Sequence, residues 1–256
     1  MFNSMSIELK GEKELAAMRK AASVVAETHT VLMASVEPGM STLDLDKIAE
    51  KEIKARGAKL AFKGYRGYPA TLCVSVNDEV VHGIPSAKRI LAEGDIVSLD
   101  LGAIVDGFYG DSAVTVGVGR ISDEAKRLLK VTEESLFKGI EQMLPGNRIG
   151  DIGAAVQRHA EAAGYGVVRE FVGHGIGRAL HEDPPVPNYG NAGTGMRLQP
   201  GMVLAIEPMV NAGTADVKVL KDNWTAVTCD GRLSAHFEHT IAVTEEGPEV
   251  LTTRGG

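Results

Sequence analysis

Apolar residues recur at three- and four-residue spacing from Glu12 to Val36: Leu15, Met18, Ala22, Val25, then Val31 and Leu32. That spacing predicts an amphipathic helix, stopped by Pro38-Gly39. A second helix is predicted from about Thr42, with Leu45, Ile48, Ala49 and Ile53 as its stripe and Gly57 at its end. Short strands around a Gly/Tyr loop follow in KGYRGYPATLCVSVNDEVVHGIP. The stretch Ile96 to Val116, IVSLDLGAIVDGFYGDSAVTV, then reads as two apolar strands joined by Asp106-Gly107. An Asp-Gly loop suits a type I′ turn, which needs positive φ at both central residues. The predicted register sets Val105 against Phe108, Asp100 against Ala113 and Gly102 against Asp111. Asp100 and Asp111 then share a face as diagonal neighbours, roughly 7–8 Å apart at the backbone.

After this hairpin the order repeats. Ser122, Asp123 and Glu124 open a helix predicted to run through Met143. Pro145-Gly146 stops it, and a shorter helix from about Ile149 to Ala163 ends at Gly164. Setting Pro38-Gly39 on Pro145-Gly146 gives an offset of 107 residues, which places Asp44 on Asp151, Leu45 on Ile152 and Ile48 on Ala155. We read a duplicated α/β unit forming one pseudo-symmetric domain. The expected class is α+β, with a curved antiparallel sheet and helices on one face. The expected domain spans residues 1–256, with a short N-terminal extension over about residues 1–5.

Composition changes this picture little. The chain has 256 residues, 44% of them hydrophobic and 24% charged, as in ordinary globular proteins. A net charge of −7 argues against a broad nucleic-acid surface. Cys73 and Cys229 are too few for a disulfide framework and lack metal-site spacing, so reduced thiols and a cytoplasmic setting are expected. The N-terminus has no apolar core of signal-peptide length, and no apolar run approaches membrane-spanning length.

The chemistry lies in acids and histidines set among apolar residues. A buried anion must be paired, protonated or bound to a metal. Asp100 or Asp111 alone also fits a turn cap or an Arg partner; together on one apolar face they favour a divalent cation. Asp106 reads as a turn residue. Three more clusters add to them. His174 lies in Phe171-Val172-Gly173-His174-Gly175-Ile176-Gly177, with His181-Glu182 just after; the flanking glycines let backbone approach whatever the imidazole touches. Glu207 is read as ending the apolar strand that starts at Met202, before Pro208, which cannot extend an interior ladder. Glu238 sits inside the strand pattern His236–Val243. His82, in VVHGIP, is a further candidate. Four carboxylates and one imidazole, without cysteine, suit Mn²⁺, Fe²⁺, Co²⁺ or Zn²⁺. Four carboxylates exceed the charge of one divalent ion, so two ions about 3.5–4 Å apart are expected.

The set Asp100, Asp111, His174, Glu207 and Glu238, with GHGIGRALHE, AIEPM and EHTIAVT around it, resembles the type I methionine aminopeptidases of bacteria. The resemblance runs from about Ser6 to Val250. It implies the pita-bread fold with pseudo-twofold symmetry, and removal of the initiator methionine from nascent proteins when the second residue is small. It implies that Asp100 binds one metal through both oxygens, that Asp111 and Glu238 bridge, and that His174 and Glu207 complete the other shell. Glu207 would also shuttle a proton. His82 and His181 match substrate-contacting histidines; Tyr65, Tyr68, Cys73 and Trp224 match methionine-pocket positions, and Leu180 is expected to line the pocket with them, though each also fits an ordinary core. A backbone monovalent-cation site at Asn77 and Ser234 is carried over too. The expected partners are N-terminal Met peptides, with a transient ribosome contact, no membrane, and a monomeric chain. Leu180 stands where an aromatic is common, Phe62 where a cysteine is, and His236 where a glutamine is. A proline-specific aminopeptidase of the same fold is the rival enzyme, expected to carry an extra N-terminal domain. A non-catalytic relative would have lost metal ligands.

Overall fold

Four helices carry the predicted apolar stripes: α1 (Glu12–Ser35), α2 (Thr42–Ala55), α3 (Asp123–Ile140) and α4 (Ile149–Ala162). The computed structural model describes residues 7–254; the extension expected over about residues 1–5 lies outside the described residues. On α1 the stripe residues Leu15, Met18, Ala22, Val25 and Leu32 are buried, and on α2 so are Leu45, Ala49 and Ile53. α3 stops three residues short of the predicted Met143. Its last turn tightens: the N–H groups of Gln142 and Met143 donate to the carbonyls of Gly139 and Ile140. Met143 is fully buried, so the apolar period continues past the helix end.

The central hairpin joins strands Ile96–Val105 and Phe108–Gly117 in the predicted register, with Asp100 opposite Ala113 and Gly102 opposite Asp111. Asp106 and Gly107 take φ of 51° and 80°, as the type I′ turn requires. The Ile96–Val105 strand also pairs with Leu72–Val76. In the second half a five-stranded sheet runs in the order Gly247–Val250, His239–Thr244, Val203–Ile206, Gly173–Gly175, Glu182–Val186. Every strand pair among the described residues is antiparallel. A bridge between Ala113 and Glu238 stitches the hairpin to the second half. Ser112 reinforces it, its hydroxyl donating to the Glu238 carbonyl at 2.7 Å.

The 107-residue offset is a physical repeat. The Gly39 N–H donates to the Leu91 carbonyl at 2.8 Å, and Gly146 donates to Leu198 at 3.0 Å. Leu91 and Leu198 donate back to the carbonyls of Met40 and Asn147. Isolated bridges join Ser41 to Ile90 and Arg148 to Arg197. Asp44 and Asp151 each accept from the backbone N–H three residues earlier, capping α2 and α4. Carried forward, this offset sets the start of the Ile96 strand on that of the Val203 strand, and Asp100 on Glu207. The two halves thus supply one acid each from equivalent places. Beneath the sheets a large buried cluster joins all four helices, including Leu32, Leu45, Leu99, Leu136, Ile152 and Ile206. A smaller one, with Met18, Phe62, Tyr68, Cys73 and Leu180, forms the floor beside the site.

Candidate active site

Asp100 and Asp111 come from the hairpin, on the face its register predicts. Glu207 and Glu238 stand just outside regular strands, which corrects the reading of both as strand-borne. Glu207 follows Val203–Ile206, and Glu238 lies in the break between Ser234–His236 and His239–Thr244. The physical reason is pairing: Pro208 has no N–H to extend a ladder, and Glu238 pairs instead with Ala113, donating to its carbonyl at 3.0 Å. His174 sits mid-strand in Gly173–Gly175. Its glycines admit neighbouring backbone rather than a ligand. A Cβ on Gly173 would lie 2.3 Å from the Ala205 carbonyl oxygen, and one on Gly175 would lie 2.3 Å from that of Asp183.

All five residues line one cavity of about 140 Å³. Ligand atoms of Asp111, His174 and Glu238 lie within 4.8 Å of one another, and all three side chains are buried. The His174 Nε2 is 3.9 Å from Asp111 Oδ2 and 3.6 Å from Glu207 Oε1. Its Nδ1 contacts the Gly175 carbonyl at 2.9 Å. A carbonyl only accepts, so the proton is on Nδ1 and the Nε2 lone pair faces the acids. On the far side, Glu207 Oε2 is 3.6 Å from His236 Nε2.

Burial dominates the electrostatics. It pushes Asp100 up to about 7, with Glu207 adding to the rise, and Glu207 up to about 8. Asp111 and Glu238 are driven well above the carboxylate range, by burial first and by neighbouring acids second. Burial also lowers His174 to about 3. Arg66 is the one Lys or Arg among the described lining residues. Asp100 Oδ1, Asp111 Oδ1 and Glu238 Oε1 are buried without a hydrogen-bond partner. Crowded buried acids, orphaned oxygens and an imidazole lone pair make a donor set that fits divalent cations. Cys73 offers no thiolate, because burial, reinforced by Asp100, raises its thiol.

Tyr65, Tyr68, Cys73, Leu180 and Trp224 come from separate segments and line the same cavity, as do His82 and His181. Tyr68 and Trp224 meet edge to face at 5.0 Å. The Tyr65 hydroxyl is 2.9 Å from His181 Nδ1, and His181 lies 4.2 Å from the His174 ring, centroid to centroid. His82 has a φ of 60° and stands perpendicular to Phe171 at 5.4 Å. Sequence reasoning missed Arg66, which lines the cavity; its place between the two pocket tyrosines in GYRGYP was the available signal. Asn77 and Ser234 lie away from this cavity but meet: the Ser234 N–H donates to the Asn77 carbonyl at 2.8 Å. The Ser234 hydroxyl is buried without a partner.

Comparison with known proteins identifies the family. A family model described as metallopeptidase family M24 matches residues 16–245. Methionine aminopeptidase 1 of Bacillus subtilis is 56% identical over 243 residues, covering 95% of this chain and 98% of that protein. The crystal structure of a methionine aminopeptidase from Thermotoga maritima superimposes with a TM-score of 0.96 at 48% identity, covering 97% of this chain and 100% of that one. A prolidase from Pyrococcus furiosus shares the fold alone, with a TM-score of 0.78 at 22% identity and 66% of its length covered. The fold is the α+β pita-bread fold, its family uses divalent metal ions, and this chain belongs to metallopeptidase family M24.

Proposed function

We propose that this chain, acting as one catalytic domain, removes the N-terminal methionine from peptides and nascent proteins whose second residue is small. The observation that carries the reading is the convergence of four buried carboxylates and the His174 lone pair on one cavity with an apolar wall. Asp100, Asp111, His174, Glu207 and Glu238 would hold two divalent ions, which supply a water of lowered pKa and polarise the scissile carbonyl. Glu207 takes the proton of the attacking water and delivers it to the leaving amine, a role suited to a carboxylate that lines the cavity beside the ions it would help to hold. With the Tyr65 hydroxyl donating to Nδ1, His181 keeps its proton on Nε2 and donates to the scissile carbonyl oxygen. His82 contacts the peptide just beyond. Tyr65, Tyr68, Cys73, Leu180 and Trp224 enclose the methionine side chain, whose thioether suits soft apolar contacts.

Cobalt, manganese, iron and zinc all suit these donors. A monovalent cation beside Asn77 and Ser234 belongs to the same reading, supported by the unpartnered Ser234 hydroxyl. A monomer in the cytoplasm, meeting nascent chains through a transient ribosome contact, completes it; no described helix is long and apolar enough to cross a membrane. The test is metal-reconstituted activity on Met-Ala-Ser beside an Xaa-Pro peptide and a Lys-Ala peptide. Cleavage confined to Met-Ala-Ser is expected. Preference for Xaa-Pro would favour the proline-specific enzyme, and equal rates on Met-Ala and Lys-Ala would refute the pocket.

A further inference from the structure

The motif His181-Glu182 leaves one residue without a role in this chemistry. Glu182 points away from the cavity. Its Oε2 meets Lys10 Nζ at 2.5 Å, across 172 residues of chain. Its Oε1 accepts from the N–H groups of Arg178 at 2.7 Å and Ala179 at 3.1 Å. The Lys10 side chain is only 3% exposed and donates also to the Glu8 carbonyl. The backbone of Lys10 is itself anchored, donating to Gly201. The turn this carboxylate closes, residues 177–182, presents Leu180 and His181 to the cavity.

We propose that Glu182, braced by Lys10, is a positioning residue that fixes Leu180 and His181 for substrate. The inference rests on the reading of those two residues given above. A buried ion pair is weak support for stability, since desolvation offsets its attraction. A carboxylate that accepts from two consecutive backbone N–H groups does something an apolar pair cannot: it sets the curvature of the turn. Gly177 agrees, because a Cβ there would strike Lys10 Cε at 2.4 Å and Glu182 Oε1 at 2.7 Å. The carboxylate and the ammonium therefore pack directly against the bare backbone of the turn. Its other end is also held, the Gly177 carbonyl accepting from Tyr109 N–H at 2.9 Å.

Two double variants separate positioning from stability. Lys10→Met/Glu182→Met replaces the pair with apolar side chains and removes the acceptor for the turn. Lys10→Met/Glu182→Gln removes the ion pair but keeps a carbonyl oxygen for the two N–H groups. In metal-loaded protein of measured metal content, the Met/Met variant should lose roughly ten- to hundredfold in kcat/KM on Met-Ala-Ser, the factor expected for one or two charge-assisted hydrogen bonds. The Met/Gln variant should recover most of it. Hydrogen exchange at Arg178 and Ala179 should quicken in Met/Met and stay near wild type in Met/Gln. Equal kcat/KM per active site in both variants and wild type, or amides equally protected in Met/Met, would overturn the proposal. If Met/Met does not fold, Met/Gln still decides: loss of amide protection and of kcat/KM there would overturn it. Wild-type protein inactive on Met-Ala-Ser would overturn the functional reading instead, and the amide exchange would still report on the turn.

Discussion

Glu207 stands between two imidazoles, one facing each carboxylate oxygen at 3.6 Å. Without metal, burial raises its carboxyl to about 8; bound cations would hold it ionised, ready to take a proton and release it again. Glu207→Gln keeps an oxygen donor and the side-chain volume but cannot move a proton. The variant should retain most of its metal, measured by plasma mass spectrometry, and lose roughly 10²–10⁴-fold in kcat, the usual contribution of a positioned acid–base. Turnover near the wild-type rate would show that another group carries the proton. His236 is the other residue whose role depends on this contact. Its Nε2 is buried and unpartnered apart from that approach to Glu207. Nothing in the string SAHFEHT distinguishes it from a core histidine, because the acid it faces is some thirty residues away in sequence, just past the end of the Val203–Ile206 strand.

At the scale of elements, legibility follows the range of the interaction that shapes each one. The hairpin was readable because a local turn fixes its register, and the register alone places Asp100 and Asp111 on one face. The helices were readable from their period, except where buried Met143 continues the period beyond the last helical turn. Glu238 was misread as strand-borne because its backbone partner, Ala113, lies in the other half of the chain. The glycines around His174 stand out in the sequence, but their purpose shows only in three dimensions. They let the strands bearing Ala205 and Pro185 close on Gly173–Gly175. Gly175→Ala would force a Cβ to within 2.3 Å of the Asp183 carbonyl oxygen, which is backbone and cannot swing aside. We expect a loss of stability of about 1–3 kcal/mol, typical of overpacking. Metal affinity should weaken as well, because the strand that carries His174 must shift. Urea unfolding and calorimetric metal titration would check both. An unchanged midpoint and an unchanged affinity would mean the sheet yields at no cost.

For the whole molecule, the acids and the histidines pull stability in opposite directions with pH. Burial lowers His29, His174 and His239 to about 3 and His82 to about 4. Their folded forms stay neutral while unfolded imidazoles take up protons below about 6.5, so they contribute stability that is lost as pH falls from there. The site carboxylates do the reverse. Unfolded acids ionise near pH 4, whereas Asp100 and Glu207 hold protons to about 7 and 8, with Asp111 and Glu238 also raised. Between those limits the folded chain binds more protons than the unfolded one, and stability must fall as pH rises. Below about pH 6.5 the two groups oppose each other; above it the imidazole contribution is complete and the acids act alone. Metal-free protein should therefore show a falling Tm from pH 6.5 to 8. Divalent ions bind the ionised acids and the neutral imidazole, so their affinity grows over the same interval and adds stability by mass action. The gap in Tm between metal-loaded and metal-free protein should widen steadily from pH 6.5 to 8, and chelation should collapse it. Calorimetric scans of both forms at constant ionic strength would measure it. A metal-free Tm that stays level or climbs across this range would mean that the four carboxylates are already neutralised by groups of the protein itself, and the case for cations at this site would fall with it.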